Sequence, residues 1–362
     1  MTVLTKASHQ WATRPGPERF TSLPELAAFK QSVRDNSTAK VLSTRKIEAL
    51  PIEGDKRGLA LVTPDGPTLP THWAFGQLAA HADAPAGYLR KLRPDLAADC
   101  MNWGLQRKAV EEIGVLTYQG DGPASLAAAT GPNYGRIWDL DIVNSLMQQF
   151  GDGRTGHFKI PGEFGVPVPI TKENTTLYAS DRDCFIFLAD EERRIEMPNR
   201  RNGSKGGLAR GFFVENSEVG AATLRVSAFF FDYACKNRCV WGVEGFQEIS
   251  IRHTSGAPDR FVEEIKPALI SYRESSDRSF LEAITAAQAR RVDDIDDFLN
   301  GRGFTRAQGR AIQIVHQTEE GRPIETIWDA VTGATAYAKG IEHQDERVAI
   351  ERSAGKMLKL AL

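Results

Sequence analysis

Apolar and polar positions divide the chain into stretches of different period. Leu23, Leu26, Ala27, Phe29, Lys30 and Val33 follow helical spacing within residues 1–55, a stretch otherwise rich in Thr, Ser, Pro and charge, which predicts a loosely structured arm. The core domain is expected over residues 56–275, with a first strand at 59–63 closed by the turn Pro64-Asp65-Gly66-Pro67. Apolar residues from Trp73 through Leu105 are punctuated by Pro85 and Pro94, which suit the first turns of successive short helices. Residues 113–137 turn strand-like, and Leu140, Val143, Leu146, Met147 and Phe150 return to helical spacing. Residues 151–174 carry loop chemistry, and a stretch that long without regular structure is either functional or disordered.

The central block reads as strands at residues 176–180, 184–189, 211–216, 223–235, 239–243 and 248–253. These follow one another without room for crossover helices, so the sheet is expected to be antiparallel. Phe261, Ile265, Leu269 and Tyr272 then form one apolar stripe on a long helix that can cover a face of that sheet. Residues 276–362 are helical in pattern, with starts at Thr305 and Pro323. The expectation is an α+β fold: a central antiparallel sheet with a long covering helix, an N-terminal helical region and a C-terminal helical subdomain.

Composition narrows the class of protein. The chain has 362 residues and a formal net charge of −2, which excludes a strongly basic coat or an acidic disordered tail. No stretch is apolar enough to span a bilayer, and the first residues lack a hydrophobic signal core, so a cytoplasmic protein without membrane attachment is expected. Of the four cysteines, Cys235 and Cys239 are close in sequence, but no second ligand pair stands at zinc-clip spacing. A reduced pair is the expectation, with no metal and no cofactor.

Two motifs carry little. Gly151-Asp152-Gly153-Arg154-Thr155-Gly156 matches the dinucleotide fingerprint, yet a helix precedes it and a Pro-containing loop follows, so the reading fails. Asp293, Asp294, Asp296 and Asp297 have the density of a Mg²⁺ site, but acids at the start of a helix are favoured by its dipole in any case. No nucleophile, base and orienting group can be named together, so no catalytic residue is assigned.

The basic stretch carries more. Arg193, Arg194, Arg200, Arg201, Lys205 and Arg210 stand against Glu196 alone, a local charge of +5 in a chain whose total is −2. Its polar, Gly-rich centre lies between two strands and reads as a hairpin tip able to follow a phosphate backbone. Arg225, Lys236 and Arg252 are placed to line the sheet side. Asn216, Ser217 and Glu218 follow an alternating strand, and Gly220 permits a turn, so these side chains either bridge a sheet edge or touch a ligand. Glu218 is expected to pair with Arg225 or Arg252.

The run Asn216-Ser217-Glu218-Val219-Gly220, continuing to Cys235-Lys236-Asn237, resembles the central motif of a phage- and plasmid-encoded family, the domain of unknown function nine-three-two. Gln77-Leu78-Ala79, Asn102-Trp103-Gly104-Leu105, Asn133-Tyr134-Gly135-Arg136 with Asp139, Arg252-His253-Thr254 and Trp328-Asp329-Ala330 resemble its other features in the same order. Arg238 departs from the family's Gly, and Ala127-Ala128 from its Arg-Ala pair. The resemblance implies a mobile-element protein of a bacterial cytoplasm, with a polar network of Asn216, Ser217, Glu218, Asn237 and His253, and it supplies no activity. The order of basic hairpin, strands and long helix is similar to the core of the Rad52-like annealing proteins. The function expected is a DNA-handling accessory protein that binds or anneals single-stranded DNA as a homo-oligomer. The alternative is a non-enzymatic interaction protein that counters a host defence system, and a metal-dependent enzyme ranks third.

Overall fold

The computed structural model describes residues 14–52, 54, 58–107, 111–161, 169–197, 206–232, 237–240, 249–275, 278–341 and 344–361. In chain order the first elements are β1 (Arg19–Phe20), α1 (Leu23–Asp35), β2 (Ser37–Ser43), β3 (Glu48–Pro51), β4 (Leu59–Thr63), β5 (Gly66–Pro70), α2 (His72–His81), α3 (Ala86–Leu89) and α4 (Pro94–Arg107). Then come β6 (Glu112–Tyr118), β7 (Ser125–Thr130), α5 (Asp139–Phe150), β8 (Phe158–Lys159), β9 (Leu177–Ala179), β10 (Cys184–Met197), β11 (Gly206–Asn216), β12 (Leu224–Asp232), β13 (Asn237–Val240) and β14 (Ile249–Ile251). The remainder is helical: α6 (Ala257–Arg260), a π turn, α7 (Lys266–Glu274), α8 (Arg278–Ala289), α9 (Ile295–Asn300), α10 (Arg306–Glu320), α11 (Ile327–Lys339) and α12 (Gln344–Lys359).

The fold is α+β with two sheets. The larger runs β1-β9-β10-β11-β12-β13, with β8 on β10 and β14 on β12, all antiparallel as expected. Strand alternation gives it two buried faces. Ile186, Leu188, Phe212, Val214, Val226, Ala228 and Phe230 point to one side and meet Phe261, Ile265, Leu269 and Tyr272, the predicted stripe of the covering helix. Phe185, Phe187, Phe213 and Phe229 point to the other, where Val348 of α12 joins them.

The smaller sheet runs β2-β6-β7-β5-β4-β3 and is mixed, because β5 and β7 pair in parallel at Leu69↔Ser125. Phe75 and Leu78 of α2 and Met101 and Leu105 of α4 cover its inner face. Asn102 straps α4 to β3 through both atoms of its amide, accepting from Ala49 N at 2.7 Å and donating to Ala49 O at 2.9 Å.

Two boundaries differ from expectation. Residues 14–52 are built into the fold: β1 edges the larger sheet, α1 buries Leu23 and Leu26, and β2 and β3 edge the smaller one. The C-terminal helices likewise share the larger sheet's core, since Ala283, Ile284, Ile312, Ala330 and Met357 belong to the same buried cluster as Phe212 and Phe230. Arg238 lies in β13 opposite Phe231, so extended backbone takes the place of the turn that a glycine would allow.

Candidate nucleic-acid interface

The strands β10 and β11 pair from Cys184↔Asn216 out to Met197↔Gly206, so the basic segment 198–205 joins them at one end of the larger sheet. Between Ala189↔Gly211 and Arg194↔Ala209 the register shifts, and residues 190–193 stand opposite Arg210 alone. Such a bulge re-aims side chains. Asp190 stabilises it by accepting the backbone N–H groups of Glu192 and Arg193 at 3.2 and 3.1 Å.

Arg210 does not belong to a phosphate-facing surface. Its side chain is 1% exposed, donates to Asp190 at 3.3 Å, and caps the end of α7 by donating to Ser275 O at 2.6 Å and Arg273 O at 2.8 Å. Phe158 and Tyr272 flank the guanidinium. It shares the face of β11 that carries Leu208 and Phe212, the face covered by the helix of Tyr272. Arg193 is exposed and, with His157, Arg273 and Glu274, lines a cleft of about 460 Å³ beside the bulge. Arg200, Arg201, Lys205 and Lys236 lie outside the described residues, as does Cys235. The backbones of Arg194, Asn237 and Cys239 lie in β10 and β13, and their side chains are outside the description.

The other predicted cations lie at the opposite end. Arg225 pairs with Glu215 across β11 and β12 at 3.1 Å, and Arg252 is exposed just past β14, which pairs with β12 at Leu224↔Ile251. Glu215 lies nine residues beyond Gly206 along β11, which places Arg225 about 30 Å from the end of the β10–β11 pairing at Gly206. The structure therefore divides the sequence-predicted cations between two ends of one sheet.

At that far end Gln77, Tyr134, Gly135, Arg136, Asp139 and His253 converge on the turn 216–220, whereas Asn237, expected in the same network, lies in β13 opposite Asp232, toward the hairpin end of the sheet. Asn216 donates to Ile137 O at 3.0 Å and Asp139 at 2.7 Å. Ser217 Oγ donates to Arg182 O at 2.6 Å and accepts from Ala221 N at 2.9 Å. Tyr134 donates to Ser217 O at 2.8 Å, Arg136 donates to Glu218 O, and Gln77 bridges Val219 O at 2.7 Å and Ala129 N at 2.9 Å. His253 stacks on Tyr134 and bonds Gly135 O at 3.1 Å. Gly220 takes a φ of +84°, a conformation that suits glycine, with Gln77, Thr130 and Tyr134 packed around it.

Glu218 does not pair with Arg225 or Arg252. Its carboxylate accepts Asp139 N at 2.8 Å and faces Lys30, whose ammonium is 2.6 Å from Asp139 and 3.7 Å from Glu218. Burial and the Asp139 charge push Glu218 up to about 7 against the pull of Lys30. Burial likewise raises the Cys184 thiol, and it lowers the His253 ring below its ordinary value. With Asn216, Ser217 and Glu218 all buried, this turn acts as a joint that binds the two sheets and α5 together. The sequence suggested Lys30 only as one position of a helical stripe, and nothing local linked it to Glu218.

The remaining motifs have structural roles. Gly151 ends α5, and the Asp152 carboxylate accepts the N–H groups of Arg154 and Thr155 at 2.7 Å, so the glycine-rich run is a turn. Asp294 caps α9 by accepting Asp297 N at 2.9 Å, and Asp296 accepts from Gln313 at 2.8 Å. Asp329 is the third residue of α11 in a capping box with Thr326, and Arg322 pairs with it at 2.5 Å. Among the described residues no group of three or more His, Cys, Asp or Glu is placed to hold a metal ion, and no helix is long and apolar enough to cross a membrane. Comparison with protein-family models, curated proteins and solved structures finds no match to this chain.

Proposed function

We propose that the protein is a DNA-handling accessory protein that binds single-stranded DNA through the β10–β11 hairpin, in the manner of an annealing protein. The observation that carries this reading is the antiparallel pairing out to Met197↔Gly206, which leaves Arg200, Arg201 and Lys205 in the connection between two rigid strands. Arg193 and Arg194 lie behind them, on and beside the bulge. With Arg210 committed to the core, five cations remain to contact phosphate. The strand order followed by the helix stripe of Phe261 to Tyr272 supports the likeness to Rad52-like proteins, which implies a homo-oligomer. The resemblance to the phage and plasmid family adds a bacterial cytoplasmic setting. Binding of a labelled single-stranded oligonucleotide across salt, compared between the protein and an Arg200→Ala, Arg201→Ala, Lys205→Ala variant, tests the reading.

One observation favours the alternative of a protein-binding module. On α3 and α4, Tyr88 is 60% exposed, Leu96 43% and Trp103 72%, and exposed aromatic side chains of this size are common anchors at protein interfaces. Oligonucleotide binding that is absent at low salt selects that alternative.

A further inference from the structure

The cleft beside the β10 bulge is built from segments far apart in sequence. The pairing of β8 with β10 sets Phe158 across from Asp190, which brings His157 to the edge of the register shift. Phe150 closes α5 and meets Phe158 edge to face, with ring centroids 5.0 Å apart. From the end of α7, Arg273 reaches the same place and donates to Gln149 O at 3.2 Å. Arg193 comes from the bulge itself. Together they line one cavity of about 460 Å³, within the range of about 300–1,000 Å³ typical of clefts that enclose small ligands.

The charges around this cavity leave one cation over. Asp190 is buried and faces the Arg210 guanidinium and two backbone N–H groups. Glu192 lies 2.5 Å from the His157 ring, and Glu274 lies 3.5 Å from Arg273. Among the described residues no acid pairs with Arg193, which is exposed at the cleft. An internal phosphodiester carries a single negative charge and matches one such cation, whereas a terminal phosphate carries nearly two. The walls suit a base. Phe150 and Phe158 supply apolar surface, and the Gln149 side-chain amide, both donor and acceptor, has no partner among the described residues. Four residue pairs, from Arg194↔Ala209 to Met197↔Gly206, separate the cleft from the basic connection, about 13 Å of strand.

We propose that this cleft receives one nucleotide of the bound single strand, with its phosphodiester on Arg193 and its base against Phe150, Phe158 and Gln149. The inference rests on the hairpin reading and adds a base contact to a surface otherwise made of phosphate contacts.

The test compares a thymidine oligonucleotide with an abasic oligonucleotide of equal length, which keeps the phosphates and lacks the bases, by anisotropy with the full chain at about 50 mM salt. A base seated in the cleft predicts binding of the thymidine strand tighter by about tenfold. Irradiation of a 5-iodouracil-substituted strand, followed by mass spectrometry, should place its crosslink on the peptide that carries His157 and Phe158. Arg193→Ala, confirmed folded by its melting transition, should lower the yield of that crosslink severalfold. Equal affinity for the two strands, or crosslinks confined to residues 198–205, overturns the cleft proposal and leaves the hairpin reading in place. If neither strand binds, the hairpin reading itself has failed and the cleft proposal falls with it.

Discussion

The carboxylate of Glu218 accepts the backbone N–H of Asp139 at 2.8 Å, and this bond joins the β11–β12 turn to the first turn of α5. The joint sets two acids, Asp139 and Glu218, beside the buried Lys30, with the Arg136 guanidinium on the Glu218 carbonyl. That arrangement has consequences that can be measured.

The first concerns pH. Glu218 has a folded value of about 7 against 4.5 for a free side chain, so the unfolded chain releases this proton first as pH rises. Its contribution to stability is fully present below about pH 4.5 and is lost as pH climbs through about 7. His253 has the opposite sign: its lowered value contributes stability above 6.5 that is lost as pH falls. Glu218→Gln removes the first trend and leaves the second. Urea midpoints at about pH 5 and about pH 8 should show the variant gaining on the wild type at the higher pH, and an offset equal at both would contradict this origin.

Lys30→Met leaves Asp139 and Glu218 buried without their cation. The expected cost is about 3–5 kcal/mol, and the double variant with Asp139→Asn should recover part of it. Denaturant unfolding measures both. A Lys30→Met protein as stable as the wild type would mean that the pair is not closed in solution.

Arg210→Met removes the partner of buried Asp190 and the cap on the end of α7. Stability should fall by about 3 kcal/mol, while the salt dependence of oligonucleotide binding by the folded variant stays unchanged. A shallower salt slope would show Arg210 touching phosphate after all.

The fold was largely legible because alternation and helical spacing are local signals. The strands from Leu177 to Ile251 and the stripe Phe261, Ile265, Leu269, Tyr272 lie where their periods predicted. The smaller sheet was less legible, since the parallel β5–β7 pairing joins segments separated by two helices. A charge run reports density along the chain and says nothing of direction, so it groups Arg210 with the hairpin. Parity along β11 does not separate it either, because Ala209 and Phe213 on the opposite face are buried as fully as Leu208 and Phe212.

Asp294→Ala tests the acidic run. Loss of an N-cap should cost about 1 kcal/mol, read as a lower melting temperature, and a chelator should leave the melting temperature of the wild type unchanged. A fall in melting temperature on chelation, absent in Asp294→Ala, would mean that the run holds a cation.

The central claim is that the hairpin carries single-stranded DNA. Fluorescence anisotropy of a labelled oligonucleotide from about 50 to 300 mM salt tests it most directly. Engagement of the five remaining cations predicts a log–log slope of about −3 to −4, and the Arg200→Ala, Arg201→Ala, Lys205→Ala variant should lose about 2 from its magnitude together with most of the affinity. No binding at about 50 mM salt, or the same slope and affinity in the triple variant, would contradict the claim.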